Sequence, residues 1–414
     1  MLLGQGLKLV IQAIYFTVIA RSLGASKYGA FVGVVGLVGI LFPFATLGSG
    51  YLLIRNVARD KNTFSTSWGT ALATTAATSS ALLAIVVLFS HLILPPTIPM
   101  RLVVLVAASD LYGLNTIGIC GQAFLAFDRL QWTAWINVLL SATRLIGAVI
   151  LAVFYNAPSS LQWGEYYCAS TAAVAATALL LVFVKLGAPA FGRTRIFAEV
   201  REGLYFSVSQ SAQTIYNDID KTMLARLGTL EATGIYGAAY RIIDVSFTPV
   251  SSLLAAAYAN LFRVGARGIA ASAQYAKPLI MRSLGYSTLV SFALLAGSGL
   301  VPRILGSGYD LTAEAIRWLA VLPIIKTVHY FLSDALAGAG HQGLRTLAHV
   351  SAAVFNILVN LWLIPSYSWR GAAWSSIASD AFLACAIGSI VLMLSRQARP
   401  EKTRREIIEM GVEV

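Results

Sequence analysis

The chain has 414 residues, of which 57% are hydrophobic and only 12% are charged, and its formal net charge is +12 at pH 7. So high an apolar fraction with so few charges excludes an ordinary soluble protein and is typical of a polytopic membrane protein. The positive charge does not indicate nucleic-acid binding, because the basic residues are scattered over short segments between apolar stretches.

About twelve apolar stretches are long enough to cross a bilayer, for which a helix needs roughly 20 residues. In chain order they lie near residues 2–22, 29–53, 69–94, 101–125, 131–154, 164–186, 203–226, 233–262, 278–302, 311–337, 343–364 and 371–394. The sequence therefore predicts an all-α membrane protein with about twelve transmembrane helices. Residues 1–22 lack a charged n-region and a small-residue cleavage site, so we expect them to remain as the first span.

Two of these spans carry the same polar pattern. Four polar residues of the first span recur about 205 positions later, as Gln5, Lys8, Gln12 and Tyr15 followed by Gln210, Gln213, Asn217 and Asp220. The spacing of three, four and three places each set on one face of a helix. Both helices then run into a Tyr-Gly-Ala triplet, at residues 28–30 and 236–238. The chain is therefore predicted to be a duplication, with one polar membrane helix opening each half.

The two halves are predicted to be parallel repeats. Six spans in each half bring the second half into the membrane in the orientation of the first, related by an axis along the membrane normal. We expect an N-terminal six-helix lobe over residues 1–190, a cytoplasmic linker over 191–202, a C-terminal six-helix lobe over 203–396 and a cytoplasmic tail over 397–414. Most basic residues of the connecting segments fall on the side of the N-terminus, which predicts that both termini are cytoplasmic.

A cluster of ionisable residues lies on the seventh and eighth spans: Asp218, Asp220, Lys221, Arg241 and Asp244. A Lys or Asp at the bilayer centre costs about 2.5–3.5 kcal/mol on insertion scales, so these side chains must face protein, water or a polar substrate. They form either an ion-pair network, such as Lys221 with Asp244, or the wall of a binding cavity, and the two interpretations are compatible. Because the acids outnumber the cations by one, the cluster suits a proton or Na⁺ as well as an anion.

Two further cations lie near the middle of spans, Arg144 in the fifth and Lys326 in the tenth. Arg144 is the best anion anchor of the first half, because guanidinium matches phosphate geometry and stays charged. The alternative is a structural ion pair with Asp110. His329 shares a helix face with Lys326, and we interpret it either as a packing residue or as a proton relay.

The sequence predicts no metal centre, no cofactor and no enzyme active site. His341 and His349 lie eight residues apart without other ligands nearby. The cysteines Cys120, Cys168 and Cys385 all fall inside spans, where they serve as small apolar residues, and they imply no disulfide framework.

Three segments resemble the bacterial polysaccharide-biosynthesis flippases of the Wzx type, within the multidrug/oligosaccharidyl-lipid/polysaccharide exporter superfamily. They are IARSLGASKYGAF at 19–31, NDIDKTMLAR at 217–226 with GIYGAAYR at 234–241, and NILVNLWLIP at 356–365 with GAA at 371–373. The resemblance implies two six-helix lobes around a central cavity. It also implies translocation of undecaprenyl-diphosphate-linked oligosaccharide repeat units across the bacterial inner membrane by alternating access.

The resemblance further implies a cationic cavity. By location, the expected substrate-binding residues are Lys8, Gln12, Arg144, Gln210, Gln213, Asn217, Lys221, Arg241 and Lys326. The candidates for coupling to H⁺ or Na⁺ are Asp218, Asp220 and Asp244. The expected partners are the lipid-linked oligosaccharide, membrane lipids and the polysaccharide polymerase and chain-length machinery, with no nucleic acid.

Other functions stay open at this point. A small-molecule or drug cation antiporter of the same superfamily would favour an acidic cavity. A membrane glycan polymerase or ligase would usually carry a large outer loop, which the sequence lacks, and the repeated polar faces argue against a purely structural membrane protein. Among flippases, O-antigen, capsule and exopolysaccharide pathways give the same sequence pattern.

Overall fold

A computed structural model describes residues 2–191, 196–306 and 308–409 of the chain. Its first half contains the helices α1 (Leu2–Leu41), α2 (Ser49–Arg59), α3 (Phe64–Ile93), α4 (Met100–Ala108), α5 (Asn115–Ala126), α6 (Leu130–Phe154) and α7 (Ser160–Leu186). The second half contains α8 (Ile196–Leu227), α9 (Leu230–Gly265), α10 (Ile269–Gly297), α11 (Val301–Leu305), α12 (Thr312–Leu319), α13 (Leu322–Gly338), α14 (Gln342–Tyr367) and α15 (Trp369–Glu409).

The helices resolve into about twelve membrane spans, which confirms the predicted fold class. In the described ranges, nine helices are long and apolar enough to cross a membrane, and α12 with α13 forms one further span bent by 41°. The stretch Gly6–Arg59 counts once in that number, but Gly24 has a φ of 72° and divides α1 into two spans. The polar helix α8 supplies the remaining span.

Two of the predicted boundaries, at 202/203 and 396/397, fall inside continuous helices, whereas the boundary at 190/191 lies in non-helical residues after α7. Helix α8 already begins at Ile196, inside the segment 191–202 that we predicted as a linker, and α15 continues through the predicted tail as far as Glu409. Residues 192–195 and 410–414, which belong to those two predicted segments, lie outside the described residues. The first repeat thus comprises α1 to α7 and the second α8 to α15.

The hydrophobic core shows where the two lobes meet. One large cluster of buried side chains contains residues of both lobes, among them Tyr28, Trp163, Tyr236 and Leu319. It surrounds the connections near residues 94–100, 154–160 and 227–230, and we call this end of the bundle the joined end. Toward the opposite, divided end, the other clusters each stay within one lobe. The lobes therefore form a V whose cleft widens toward the divided end.

Glycines allow the backbones of the two lobes to touch at the joined end. A methyl group added to Gly29 of α1 would lie 1.8 Å from the carbonyl oxygen of Leu230 at the start of α9. A methyl group on Gly234 of α9 would lie 1.9 Å from the carbonyl oxygen of Ala25. No side chain fits at such distances, so small residues set how closely these helices cross.

Beside this crossing, residues 25–43 pack against α8 along their length, and hydrogen bonds from α8 side chains to their carbonyl oxygens join the two. Thr222 donates a hydrogen bond to the carbonyl oxygen of Gly33 at 3.2 Å. Further along, Ser211 donates to the carbonyl oxygen of Ile40 at 3.0 Å, and Ser207 donates to that of Pro43 at 2.9 Å. We call this contact the α1–α8 seam. It closes one side of the V from the joined end toward the divided end.

Candidate functional site

A central cavity of about 430 Å³ lies between the lobes, below the joined end. Both segments of α1, through residues 12–19 and 28–39, line it together with α6 and α7 from the first lobe, and α8 and α9 line it from the second. Its polar and aromatic lining consists of Gln12, Tyr15, Tyr28, Arg144, Trp163, Tyr167, Asp218, Lys221, Arg241 and Asp244. Six of the twelve site residues predicted from sequence therefore line one space: Gln12, Arg144, Asp218, Lys221, Arg241 and Asp244.

Two arginines from opposite lobes meet at one tyrosine in this cavity. Arg241 of α9 donates a hydrogen bond to the hydroxyl of Tyr15 at 3.4 Å, and the guanidinium of Arg144 on α6 interacts with the same hydroxyl. Lys8, two helical turns before Tyr15, lies within electrostatic range of both guanidiniums, although it does not line the cavity. This part of the site is a concentrated positive region to which both repeats contribute.

Arg144 is held by groups of α7 and not by a direct ion pair with Asp110. Its guanidinium carbon lies 4.0 Å from the centroid of the Tyr167 ring, and it donates a hydrogen bond to the Thr171 hydroxyl at 3.2 Å. The hydroxyl of Tyr167 donates in turn to Asp110 at 2.8 Å. The tyrosine therefore stands between the cation and the acid that the sequence offered as its alternative partner.

Lys221 has a different partner from the one that the sequence suggested. Its ammonium group forms an ion pair with Asp218, one turn earlier on α8, and lies 4.3 Å from the centroid of the Tyr240 ring. Asp244, the partner considered in the sequence, is exposed to the cavity. Because α8 places Lys221 and Asp218 three residues apart on one face, the local pair needs no neighbouring helix.

The third acid of the cluster is turned away from the cavity. Asp220 is completely buried and accepts hydrogen bonds from the hydroxyls of Tyr236 and Ser376 and from the backbone N–H of Lys221. The cavity wall therefore carries three cations, on Arg144, Lys221 and Arg241, against two carboxylates. The five-residue cluster on the seventh and eighth spans has an excess of one negative charge. The lining of the cavity loses Asp220 and gains Arg144, so it has an excess of one positive charge, which favours an anion.

The remaining predicted site residues do not line the cavity. Lys326 is buried behind it and donates hydrogen bonds to Asn217 at 2.9 Å and to the hydroxyl of Tyr240 at 3.0 Å. Asn217 also donates to the carbonyl oxygen of Gln213, and Gln210, one turn earlier, is exposed. Lys326 and Asn217 therefore support the cavity wall from within the second lobe, whereas Gln210 lies outside the cavity.

Sequence reasoning missed the aromatic side of the site. Trp163 and Tyr167 line the cavity from α7, and Thr171 holds Arg144 one turn further along. Their spacing of four residues, which places all three on one helix face, was a readable signal. Tyr15 was recognised on the polar face of the first span but was not predicted as a binding residue.

Two parallel six-helix repeats around a polar cavity define a multi-pass membrane protein. The fold is similar to an inward-facing multidrug-resistance MATE family transporter of the MOP superfamily, with a TM-score of 0.77 and 14% sequence identity over 95% of this chain and 96% of that chain. It is also similar to the lipid II flippase MurJ in its inward closed conformation, with a TM-score of 0.75 and 10% identity over 95% and 89% of the two chains.

The sequence itself places the chain in a family. The family described as polysaccharide biosynthesis protein matches residues 1–258, and the chain belongs to it. A probable low-salt glycan biosynthesis flippase from Haloferax volcanii, Agl15, is 23% identical over 258 residues, which are 61% of this chain. The match spans about half of that relative, 51% of its length. The resemblance to polysaccharide-biosynthesis proteins in the sequence is confirmed.

Proposed function

We propose that this protein is a flippase that moves an undecaprenyl-diphosphate-linked oligosaccharide across the membrane by alternating access. The observation that carries the proposal is the meeting of Arg144 and Arg241, from opposite lobes, at Tyr15 inside the central cavity. Membership of the polysaccharide biosynthesis family and the similarity to a glycan biosynthesis flippase support a flippase that acts in glycan biosynthesis.

The chemistry of the cavity suits a diphosphate headgroup. Guanidinium groups bind phosphate oxygens in pairs of parallel hydrogen bonds and stay charged inside a protein. A diphosphate between Arg144 and Arg241 would contact both lobes at once. The glutamine and tyrosine side chains that line the cavity offer hydrogen bonds to sugar hydroxyls. An anion held by both lobes can bias how the lobes sit relative to each other.

The conformation of the two lobes would allow the headgroup to enter the cavity from the divided end. If both termini are cytoplasmic, as the basic residues predict, the divided end of the V faces the cytoplasm of a bacterium. The cavity would then receive the headgroup from the cytoplasmic leaflet of the inner membrane, while the contacts at Gly29 and Gly234 close the outer side. Release would require these contacts to separate and the divided end to close.

The polyprenyl tail needs a side opening into the bilayer. The α1–α8 seam is closed by three hydrogen bonds, so that side supports no exit. On the other side, residues 7–14 of α1 and the second half of α9 have exposed apolar side chains, with Val10 58% and Tyr258 42% exposed. We therefore assign the lateral opening to the gap between the first segment of α1 and α9.

Transport is proposed to be coupled to H⁺ or Na⁺. Asp218 and Asp244 line the cavity and are the accessible candidates, whereas Asp220 is buried among hydrogen-bond donors. The flipped unit would pass to a polysaccharide polymerase and its chain-length machinery on the outer side. No step of this proposal makes or breaks a covalent bond, which distinguishes it from a glycan polymerase or ligase.

The test is an analysis of lipid-linked sugars, by thin-layer chromatography and mass spectrometry, in cells depleted of this protein. Accumulation of a complete undecaprenyl-diphosphate repeat unit on the cytoplasmic side would support the flippase and identify the glycan. An unchanged pool of lipid-linked sugars would contradict it. The two carboxylates in the cavity would then favour a small-molecule cation antiporter, which uptake assays in vesicles can reveal.

A further inference from the structure

An acid outside the cavity is connected to its anion-binding region. Asp110 lies in a π-helical turn, Ser109–Leu114, between α4 and α5, and is only 5% exposed. Hydrogen bonds from Ser79 and Asn115 to the carbonyl oxygen of Leu111, at 2.7 and 3.2 Å, hold this widened turn. Turns of this kind are rare and frequently occur at functional sites.

A chain of three side chains leads from this acid to the cavity. Asp110 accepts the hydrogen bond of Tyr167, whose ring lies beneath the Arg144 guanidinium at 4.0 Å. Tyr167 and Arg144 both line the cavity, whereas Asp110 does not. The Nε of Arg144 is buried and has no hydrogen-bond partner in the described structure. The cation at the cavity wall is thus linked to a buried acid through one phenol.

Arg144 is the cation that compensates the charge of Asp110. The titratable groups that face Asp110 are Tyr167 and the Cys168 thiol from α7 and Arg144 from α6. Helix α3 contributes the Ser79 hydroxyl to the same turn, and Tyr15 of α1 faces Arg144. A buried carboxylate is tolerated only while a cation or hydrogen-bond donors balance it.

This inference rests on the proposed function. We propose that Asp110 takes up a proton when a diphosphate anion binds at Arg144, and that Tyr167 then turns its hydroxyl toward the ligand. The bound anion neutralises Arg144, so Asp110 loses the cation that stabilised its ionised form. Asp110 thereby acts as a positioning residue, because it determines whether the Tyr167 hydroxyl points to the acid or to the cavity.

The proton balance of this step is simple. Hydronium in the cavity gives a proton to the oxygen of Tyr167 and becomes water. The proton that Tyr167 carried passes to Asp110, which becomes a neutral carboxylic acid. Asp110 now donates the hydrogen bond and the Tyr167 oxygen accepts it. The O–H of Tyr167 is free to donate to a phosphate oxygen, so one proton and one anion bind together.

The experiment measures protons taken up on binding. Farnesyl diphosphate is titrated into the purified full-length protein by calorimetry, in buffers of different ionisation enthalpy and over a range of pH. We expect the wild type to take up about one proton more than Asp110→Asn, the ligand's own protons being common to both. The affinity of the wild type should fall with rising pH more steeply than that of Asp110→Asn.

Two further variants separate this role from a structural one. Tyr167→Phe keeps the ring under Arg144, and should lose the extra proton uptake and bind about tenfold more weakly. Asp334→Asn removes a buried acid that pairs with Arg345 at 3.3 Å in the other lobe, and should keep the uptake of the wild type.

The possible outcomes distinguish this inference from the proposed function. Equal proton uptake by the wild type and by Tyr167→Phe, with binding intact, would overturn the role of Asp110 and leave the anion cavity standing. Absence of any farnesyl diphosphate binding by the wild type would overturn both. If Asp110→Asn fails to fold, the Tyr167→Phe comparison still decides the question.

Discussion

In the first repeat, residues 25–41 of α1 present Gly33 and Gly36 to α8, where added methyl groups would lie 2.8 Å from the Cβ of Ala225 and 2.7 Å from the Thr222 hydroxyl. At the equivalent positions about 208 residues later, α9 presents Arg241 and Asp244 to the cavity. The glycines let α1 close onto α8, whereas Arg241 of α9 reaches across to Tyr15 in the first segment of α1 with a hydrogen bond of 3.4 Å. The duplication thus supplies a symmetric frame, and the difference between its copies gives the cavity charged side chains from α9 but none from residues 25–41 of α1.

The polar faces of α1 and α8 diverge in the same way. Tyr15 and Asp220 are equivalent in the two copies, yet Tyr15 bridges arginines in the cavity and Asp220 is buried against Tyr236 and Ser376. One helix face therefore serves the ligand in the first repeat and the packing of the lobe in the second. Equivalent positions in the two repeats therefore have the same place on a helix but different functions.

The largest effect is expected from removing the guanidinium of Arg241, the residue of α9 that is equivalent to Gly33 of α1. Arg241→Ala, and likewise Arg144→Ala, should abolish flipping while leaving protein levels intact. Truncating one partner of a buried charged contact costs about 2–5 kcal/mol, which is roughly a 30-fold loss or more. Flipping is measured as the accessibility of the headgroup in proteoliposomes, or as complementation of a depleted strain.

A matched control for these variants is Arg370→Ala. Arg370 pairs with Glu314 at 2.9 Å on the exposed surface, away from the cavity, and its loss should leave transport unchanged. Full transport by both Arg144→Ala and Arg241→Ala would remove these residues from the anion site.

A second variant tests the glycine contacts that close the joined end. Gly234→Ala places a methyl group 1.9 Å from the carbonyl oxygen of Ala25, so the two lobes must move apart. We expect a loss of roughly 1–3 kcal/mol, the usual cost of overpacking, measured as a lower thermal unfolding temperature in detergent.

The control for this variant is Gly285→Ala in α10. Nothing lies within 4 Å of the position that its new methyl group would take, and alanine is the better helix former. Its unfolding temperature should be unchanged or slightly higher. An equal loss of stability in both variants would show that close contact is not what glycine provides at residue 234.

The smallest expected effect on stability is that of Asp244→Asn, and it is compared with the effect of Asp220→Asn, another acid of the second repeat. Asp220→Asn disturbs a buried carboxylate that accepts hydrogen bonds from Tyr236 and Ser376, and should lower stability by about 1–3 kcal/mol. Asp244→Asn removes an acid exposed to the cavity, and should change stability by less than about 0.5 kcal/mol.

Chemical or thermal unfolding of both variants, together with transport assays at several H⁺ and Na⁺ concentrations, checks this distinction. We expect Asp244→Asn to change the ion dependence of transport. A destabilised Asp244→Asn beside a fully stable Asp220→Asn would reverse the roles given to the two acids.

The sequence alone determined the frame of this protein. Hydropathy marked the spans, because the cost of placing polar groups in lipid depends on composition over about 20 residues. The duplication followed from one spacing of polar residues. The cost of buried charge singled out five cations inside the spans, of which Arg144, Lys221 and Arg241 line the cavity and Lys8 and Lys326 do not. The family followed from short segments in both halves. The family match over residues 1–258 confirms the family and covers the segments at 19–31 and 217–241, but not those at 356–373.

Only the tertiary structure decided which charge faces which group. Asp220 is buried and Asp218 is not, although they are two residues apart, because Tyr236 and Ser376 approach only one face of α8. Tyr167 stands between Arg144 and Asp110 because α7 passes between α6 and the π-helical turn. These partners lie tens to hundreds of residues away along the chain, and side-chain periodicity reports the face of a helix but not the neighbour that covers it.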